Sequence, residues 1–182
     1  SESNTFLWIQ DDTSPTMTIT ASVAHNSTTK DQNIALTFTS SEATGNFDVN
    51  DITLTNGSLG DLSGSGAIYE ATFTPTGDGL CTIKVAADKF TDAYGNGNSE
   101  SNTFLWIQDD TSPTMTITAS VDHNSTTNDA NIELTFTSSE VTTDFFVGDV
   151  DVSNGSLGVL SGSRTTYTAT FSPTGKGLCT IK

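Results

Sequence analysis

Short stretches in which apolar residues alternate with threonine or serine recur along the chain, separated by segments rich in glycine, asparagine and aspartate. Such a period of two is typical of a β-strand with one buried face. No stretch shows the 3.6-residue period of an amphipathic helix. The predicted strands of the first part of the chain cover residues 17–19, 34–38, 47–54, 59–62, 68–73, 81–85 and 103–108.

Three local signals refine this pattern. The apolar positions slip out of alternation within residues 47–54, which indicates a β-bulge. Asn56-Gly57 predicts a tight turn, because both residues tolerate positive backbone φ angles. Residues 64–66, Gly-Ser-Gly, predict a loop before the next strand.

The chain repeats itself at an offset of 98 residues. Residues 1–84 and 99–182 align without a gap and are identical at 64 of 84 positions. A gapless period of this length is too long for one coil of a solenoid and fits a complete small domain repeated in tandem.

The domain edges are expected inside the most closely matched block. The polar segment 11–15, Asp-Asp-Thr-Ser-Pro, lies between two apolar strands and is therefore predicted to be a linker. Residues 1–10 are then the final strand of a preceding repeat. Residues 11–108 form a complete domain, and residues 109–182 form a second domain without its last strand.

Seven short strands in about 98 residues predict an all-β fold of tandem immunoglobulin-like Greek-key sandwiches. The segments DDTSPTMTIT, LTFTSSE, FDVNDITLTNGSL, GSGAIYEATFTPTGDGLCTIKV and FTDAYGNGNSESNTF resemble the bacterial Ig-like repeats of large surface adhesins. The resemblance covers essentially the whole chain. It implies seven-stranded sandwiches, tandem stacking, an extracellular location and no catalysis. The FLWIQ strand departs from the usual alternation of these repeats.

The composition of the chain limits the classes of partner that it is expected to bind. Six basic residues stand against 22 acidic ones, whereas nucleic acids and anionic membrane surfaces bind clusters of lysine and arginine. No apolar run approaches the length of a membrane span, so no membrane insertion is expected in this segment. Serine and threonine make up 56 of 182 residues, a bias common in secreted all-β repeats.

Candidate catalytic groups are few. His25 and His123 occur once per repeat without a recognisable nucleophile motif, so no enzyme activity is expected.

Cys81 and Cys179 occupy equivalent positions in different domains, whereas a disulfide needs Cα atoms within about 7 Å. They are expected to be small buried side chains. A bridge to a neighbouring chain is the alternative.

Calcium is the most specific chemical hypothesis. In the predicted topology the linker and two loops meet at one pole of each domain, and calcium prefers six to eight oxygen ligands. Asp and Asn also suit turns without any metal, so a purely structural role stays open. Asp11, Asp12, Glu42 and Asp92 are the favoured ligands. The whole candidate set is Asp11, Asp12, Glu42, Asp48, Asp51, Asp92 and Asn96, with Asp109, Asp110, Glu140, Asp144 and Asp149 at the second junction.

Four asparagines lie in acceptor sequences for N-glycosylation, in predicted loops. Their number is what chance gives in a chain this rich in serine and threonine, so a glycoprotein is a weaker expectation. They are Asn26, Asn56, Asn124 and Asn154.

The strand Phe-Leu-Trp-Ile is apolar at four successive positions, whereas a strand covered on one face needs only every second one. If Phe104 and Trp106 point into the core, Leu105 and Ile107 point outward. Either a neighbouring loop or domain covers them, or they form a lateral or end-to-end contact. The candidate interface residues are Leu7, Trp8, Ile9, Leu105, Trp106 and Ile107.

These features predict a structural repeat segment of an extracellular filament, stalk or adhesin at the cell surface. Its partners would be neighbouring repeats or identical chains. Two alternatives stay open: a fibre subunit that polymerises by strand donation, and a glycan-binding or ligand-binding adhesin module. The repeats differ mainly at residues 43–55 against 141–153 and at 66–70 against 164–168.

Overall fold

The computed structural model describes residues 3–182 and divides the chain into two compact units, Ser1–Thr111 and Ser112–Lys182. Apart from two three-residue 3₁₀ turns, the regular structure of the described residues is β-strand. This confirms the predicted all-β class of tandem Ig-like sandwiches. The units divide after Thr111, whereas the sequence places the domain edge after Gln108.

The first unit contains eight strands in two sheets. One sheet has the order β1-β3-β6-β5 and the other the order β4-β7-β8-β2. The strands are β1 (Met17–Ala21), β2 (Thr28–Thr29), β3 (Ile34–Thr44), β4 (Ile52–Thr55), β5 (Gly57–Leu59), β6 (Ser63–Pro75), β7 (Gly79–Val85) and β8 (Phe104–Gln108).

Alternation along the strands builds the core of this unit. Ile34, Leu36 and Phe38 of β3 are buried, while the residues between them are exposed or half-buried. On the antiparallel neighbour β6, Phe73 pairs with Ile34 and Ala71 pairs with Leu36. The inner faces of the two sheets therefore supply the apolar residues that the period of two predicted.

The structure differs from the sequence-based expectations at four places. The strand predicted over residues 59–62 is β5 and lies at Gly57–Leu59. Residues 64–66 belong to β6 rather than to a loop, because glycine allows the positive φ angles of Gly64 and Gly66 within an extended segment. The irregularity in residues 47–54 is a 3₁₀ turn, Val49–Asp51, and not a β-bulge. The short strand β2 has no apolar alternation, so its pattern could not predict it.

Strand β8 completes the second sheet by pairing antiparallel to β7 and parallel to β2. Its burial alternates: Phe104, Trp106 and Gln108 are buried, Leu105 is half-buried and Ile107 is exposed. The ring of Trp106 packs edge-on against Phe73 of the other sheet, with centroids 4.9 Å apart. This strand thus closes the core between the sheets.

The second unit repeats one sheet in the order β12-β13-β10-β9, and its other sheet consists of the pair β11-β14. No strand equivalent to β8 occurs among the described residues 112–182. The strands are β9 (Met115–Ala119), β10 (Ile132–Thr142), β11 (Val152–Ser153), β12 (Gly155–Leu157), β13 (Ser161–Pro173) and β14 (Thr180–Ile181).

The core of the second unit is correspondingly more open. Leu134 and Phe136 of β10 and Phe171 of β13 are buried, as in the first unit. Met115 of β9, however, is 37% exposed, whereas its equivalent Met17 in β1 is 3% exposed. Within the described residues 112–182, β9 is therefore less covered than β1 is in the first unit.

Residues 3–10 form no strand and are exposed throughout. The first two residues of the predicted strand 1–10 lie outside the described residues. That residues 1–10 complete a preceding repeat stays a prediction.

Candidate functional site

Three acidic side chains converge in the first unit. Asp11 precedes β1, Glu42 lies in β3, and Asp92 lies in the long connection between β7 and β8. One carboxylate oxygen of each lies within 4.8 Å of the other two. Within residues 3–182 this is the one group of three or more potential metal-ligating acidic, histidine or cysteine side chains at such distances.

Asp92 is the most buried of these three residues, and only 7% of it is exposed. Its Oδ1 accepts hydrogen bonds from the backbone N–H groups of Tyr94 at 2.8 Å and Asn96 at 2.9 Å. Its Oδ2 accepts a hydrogen bond from the side-chain nitrogen of Asn96 at 2.8 Å. The loop is therefore wrapped around this carboxylate.

The charge of Asp92 is stabilised despite its burial. Burial by itself raises the pKa of the carboxyl, because it disfavours the charged form. Hydrogen bonds from Asn96 and from the backbone of Tyr94 and Gly95 outweigh this effect and hold the pKa below its ordinary value. Asp92 is accordingly an anion at neutral pH.

Asn96 joins the same group through its amide nitrogen, which also donates a hydrogen bond to the backbone carbonyl of Asp11 at 3.2 Å. This bond ties the β7–β8 connection to the segment before β1. Asn96 therefore acts as a donor that links two backbone segments around the carboxylates.

The other predicted ligands of the first domain lie outside this group. Asp12 is exposed. Asp48 and Asp51 cap the 3₁₀ turn: Asp48 Oδ1 accepts from Asn50 N at 2.7 Å, and Asp51 Oδ2 accepts from Asp48 N at 2.9 Å. Their carboxylates satisfy local backbone donors, as expected for aspartate in turns.

The predicted second set is divided between the two units: Asp109 and Asp110 belong to the first, and Glu140, Asp144 and Asp149 belong to the second. Asp109 and Asp110 follow the end of β8, and the antiparallel pairing of β7 and β8 places that end opposite to the Asp92 loop. Glu140 lies in β10, at the position equivalent to Glu42. The exposed Asp144 and Asp149 lie after β10, where Asp149 Oδ2 accepts a hydrogen bond from Phe146 N.

Two residues not singled out from the sequence hold the segment after β8. Asp78, in the β6–β7 turn, accepts hydrogen bonds from the backbone N–H of Asp110 at 2.8 Å and from the hydroxyl of Thr111. The Thr111 contact is the main cause of a lowered pKa of the Asp78 carboxyl. Gln32 donates to Asp110 Oδ2 at 2.5 Å. No sequence signal marked Asp78 or Gln32, because the segments that carry them meet the residues after β8 only in the folded unit.

The two copies of FLWIQ have opposite environments. Trp106 is fully buried in β8, whereas Trp8 is 74% exposed. The outward Leu105 is half-buried, and its backbone contacts the β1–β2 connection, where His25 Nδ1 accepts a hydrogen bond from Leu105 N at 3.3 Å. His25 also packs against the Phe104 ring, so its role here is structural.

The asparagines predicted as glycosylation sites fall into two kinds. Asn26 and Asn124 are exposed. Asn56 donates from Nδ2 to the Gly77 carbonyl at 2.8 Å and contacts Cys81 Sγ at 3.5 Å. Asn154 makes the corresponding contacts with Gly175 and Cys179. A glycan on either of these two nitrogens would compete with those bonds.

Both cysteines are free thiols in the structure. Cys81 is buried in β7, where Trp106 of the neighbouring strand β8 is its cross-strand partner. Burial, the larger effect, raises the pKa of its thiol. Cys179 is only partly covered.

The two-sheet architecture, the strand order and the buried tryptophan strand define the first unit as an immunoglobulin-like β-sandwich module. The family model of the bacterial Ig-like domain matches residues 11–106 and again residues 109–178. The chain therefore belongs to the bacterial Ig-like domain family, a family of structural or surface repeat modules that are typically non-catalytic and common in surface-exposed proteins. A search of curated proteins finds no match. In the described part of the chain, no helix has the length and apolar character needed to cross a membrane.

Proposed function

We propose that this chain is a structural segment of an extracellular array, in which Ig-like units stack end to end in a stalk, filament or adhesin. The tandem repeat carries this proposal: two copies of one module share 64 of 84 residues across a short polar linker. Near-identical modules suit a spacer, because each repeat adds length without adding a new binding surface.

The contacts of the linker support the proposal. Asp109 N donates to the Thr29 carbonyl at 2.9 Å, and the adjacent Asp110 and Thr111 are held by Asp78. A linker whose first residues are bound to the preceding unit has less freedom than a chain tethered only by its backbone. Restricted linkers would favour an extended array over a flexible string.

Imaging of the native assembly tests this function. We expect a regular spacing of about 40 Å per 98-residue repeat, given strands of seven to ten residues plus loops. Antibodies against the chain should also label intact source cells. Irregular spacing, or labelling only after the cells are opened, would contradict the proposal. Glycan-array binding by the chain would instead favour the adhesin module.

Calcium at Asp11, Glu42 and Asp92 is the second part of the proposal. Three carboxylates within 4.8 Å repel one another unless a cation or protons offset their charge. Asp92 favours a cation over a proton, because its hydrogen bonds lower its pKa. Oxygen ligands of this kind suit Ca²⁺, with the remaining positions filled by water or backbone carbonyls.

Thermal melting with added calcium and with chelator tests the cation. We expect calcium to raise the melting temperature of the first unit and chelator to reverse the gain. Glu42→Gln should reduce this gain, while Asp12→Asn, a neighbouring change outside the group, should retain it. A melting temperature that responds to neither calcium nor chelator would exclude the site.

A further inference from the structure

One surface has opposite chemistry in the two units, although it occupies the same place in the fold. In the first unit an open pocket lies between the 3₁₀ turn and the segment 59–64, and Asp48 and Asp61 both line it. The equivalent residues of the second unit, 98 positions on, are Phe146 and Val159. Two acidic side chains that are distant in sequence but line one pocket are therefore both replaced by apolar ones.

This surface faces solvent in a sandwich that contains its last strand. In the first unit, which includes β8, Asp48 and Asp61 are exposed. Among the described residues 3–182, no residue after Tyr69 lines the pocket. In the second unit Phe146 is 60% exposed and Val159 is 90% exposed. The apolar replacements therefore lie at surface positions and add nothing to the core.

The second repeat has not become less acidic as a whole. Residues 14–84 and residues 112–182 each contain seven acidic residues. The number of carboxylates is thus maintained, while this surface loses two of them. The change is local, which is the pattern expected when one patch of an otherwise acidic surface acquires a partner.

A third substitution accommodates the ring of Phe146. Asp48 Oδ1 accepts a hydrogen bond from Asn50 N at 2.7 Å in the first unit, whereas the residue equivalent to Asn50 in the second unit is Gly148. A Cβ atom at position 148 would lie 2.5 Å from the Phe146 ring, so any other residue there would displace the ring. The turn of the second unit is therefore built to hold an exposed phenyl ring in place.

Arg164, the single arginine of the chain, lies beside the same surface. It follows by two residues Gly162, the equivalent of Gly64, which lines the pocket of the first unit. Its φ angle is 66°, and the equivalent Gly66 has 69°; an arginine is unfavourable there, because its Cβ crowds the backbone. Arg164 is exposed, and the one ion pair of the described residues does not involve it. The second unit thus presents a free cation next to exposed apolar side chains.

The two versions of this surface are complementary. The pocket of the first unit has an apolar floor that includes the half-buried Leu59 and Leu62, and it carries two carboxylates. An exposed phenyl ring gains from apolar cover, and a guanidinium gains from a carboxylate. Two acidic pockets, in contrast, repel one another. The charges therefore favour contact between unlike surfaces.

We propose that the Phe146 surface of the second unit, which consists of Phe146, Val147, Val159 and Arg164, binds the Asp48–Asp61 pocket in the first unit of a second copy of this chain. The contact joins different surfaces of two copies, so it is heterologous and can continue from chain to chain. The inference concerns association between copies and does not rest on the proposed extracellular role.

Sedimentation velocity of the full 182-residue chain tests the association, in reductant to prevent disulfides. The patch is small, so we expect a weak contact, and the concentration series should extend to about 1 mM. Association should increase with concentration and weaken with added salt, because charged groups contribute to it. Chains that stay monomeric over the whole series would overturn the proposal. So would a soluble glycan that binds monomeric chains through Phe146, because it would assign this surface to a carbohydrate.

Exchange of residues between the repeats separates unlike from like pairing. Phe146→Asp/Val159→Asp introduces the residues of the first repeat, which that fold tolerates, and should raise the dissociation constant by about tenfold or more, as loss of an interface anchor does. Asp48→Phe/Asn50→Gly/Asp61→Val gives the first unit the residues of the second and should also weaken association, because Arg164 loses its carboxylates. Stronger association of this triple variant would show that like surfaces pair, contrary to the proposal. Circular dichroism checks that each variant is folded.

A charge exchange tests the contact of Arg164 with the pocket. Arg164→Asp and Asp61→Arg should each weaken association, and the two together should restore most of it. Aspartate tolerates a positive φ angle, so the first change is compatible with the fold. Lys176→Asp is the control: it changes the charge equally and introduces the residue of the first repeat, Asp78, in an exposed turn. It should leave association unchanged. Failure of the double variant to recover, or an equal loss in Lys176→Asp, would overturn the assigned pairing.

Discussion

Trp106 packs edge-on against Phe73 with ring centroids 4.9 Å apart, and so joins β8 to β6 of the opposite sheet. Both rings are fully buried. Because large-to-small changes at such positions leave a cavity, we expect Trp106→Ala to lower the free energy of unfolding of the first unit by about 3–5 kcal/mol. Urea denaturation followed by circular dichroism measures this.

Trp8→Ala is the matched control, since the same five-residue sequence surrounds Trp8 in an exposed segment. We expect a change below about 0.5 kcal/mol at low protein concentration. Similar losses in both variants would show that the two tryptophans contribute in the same way, contrary to the structure.

Gly57 lies against the Phe73 ring. A Cβ atom at this position would lie 2.1 Å from the ring, too close for any contact, and 2.7 Å from the Thr74 carbonyl oxygen. We therefore expect Gly57→Ala to destabilise the unit by about 1–3 kcal/mol, as is usual for overpacking. Gly45→Ala is the control, because nothing lies within 4 Å of its Cβ position. A chemical melt in which Gly57→Ala is no less stable than Gly45→Ala would disprove the packing argument.

Asn56 connects the turn after β4 to the β6–β7 turn. Its side chain donates to the Gly77 carbonyl and accepts a hydrogen bond from the Thr76 hydroxyl. We expect Asn56→Ala to cost about 1–2 kcal/mol more than Asn26→Ala, because an intramolecular hydrogen bond typically contributes about 1 kcal/mol.

The comparison is matched in backbone conformation, since Asn26 and Asn56 have φ angles of 64° and 55°. Alanine is therefore unfavourable at both positions, and their difference isolates the side-chain bonds. In residues 3–182 the Asn26 side chain makes no hydrogen bond. Equal melting temperatures for the two variants would contradict the role assigned to Asn56.

Acid should weaken the first unit through Asp78 and Asp92. The pKa of each is lower in the folded state than its ordinary value, so each ionised carboxylate stabilises the fold. This contribution is complete above about pH 5 and is lost as the pH falls through the ordinary value and then through the lower folded pKa. We expect the melting temperature to fall in this range.

Asp92→Asn and Asp78→Asn should each flatten the acid limb of the melting curve, since the amide does not titrate. Asp12→Asn, on an exposed residue next to Asp11, should leave that limb unchanged. An acid limb that is identical in all four proteins would show that neither carboxylate is linked to folding.

The candidate acidic site was predictable in part. The topology of a sandwich brings the segment before β1, the end of β3 and the β7–β8 connection to one pole, and these positions carry Asp11, Glu42 and Asp92. The sequence favoured the exposed Asp12 together with these three residues, and it kept Asp48 and Asp51, which cap a local turn, in the wider candidate set. That distinction depends on which backbone N–H groups each carboxylate meets, and composition and spacing do not encode it.

By itself, the sequence determined the class of fold and the inward face of each long strand through the alternation of apolar residues, and the period of the repeat through its identity at an offset of 98 residues. Tertiary structure alone decided how the FLWIQ block at Phe104–Gln108 is stabilised, with β7 supplying backbone partners and Phe73 of the other sheet packing against Trp106. The reason is physical: a strand is stable only where another strand offers its backbone hydrogen bonds and an apolar face covers its side chains.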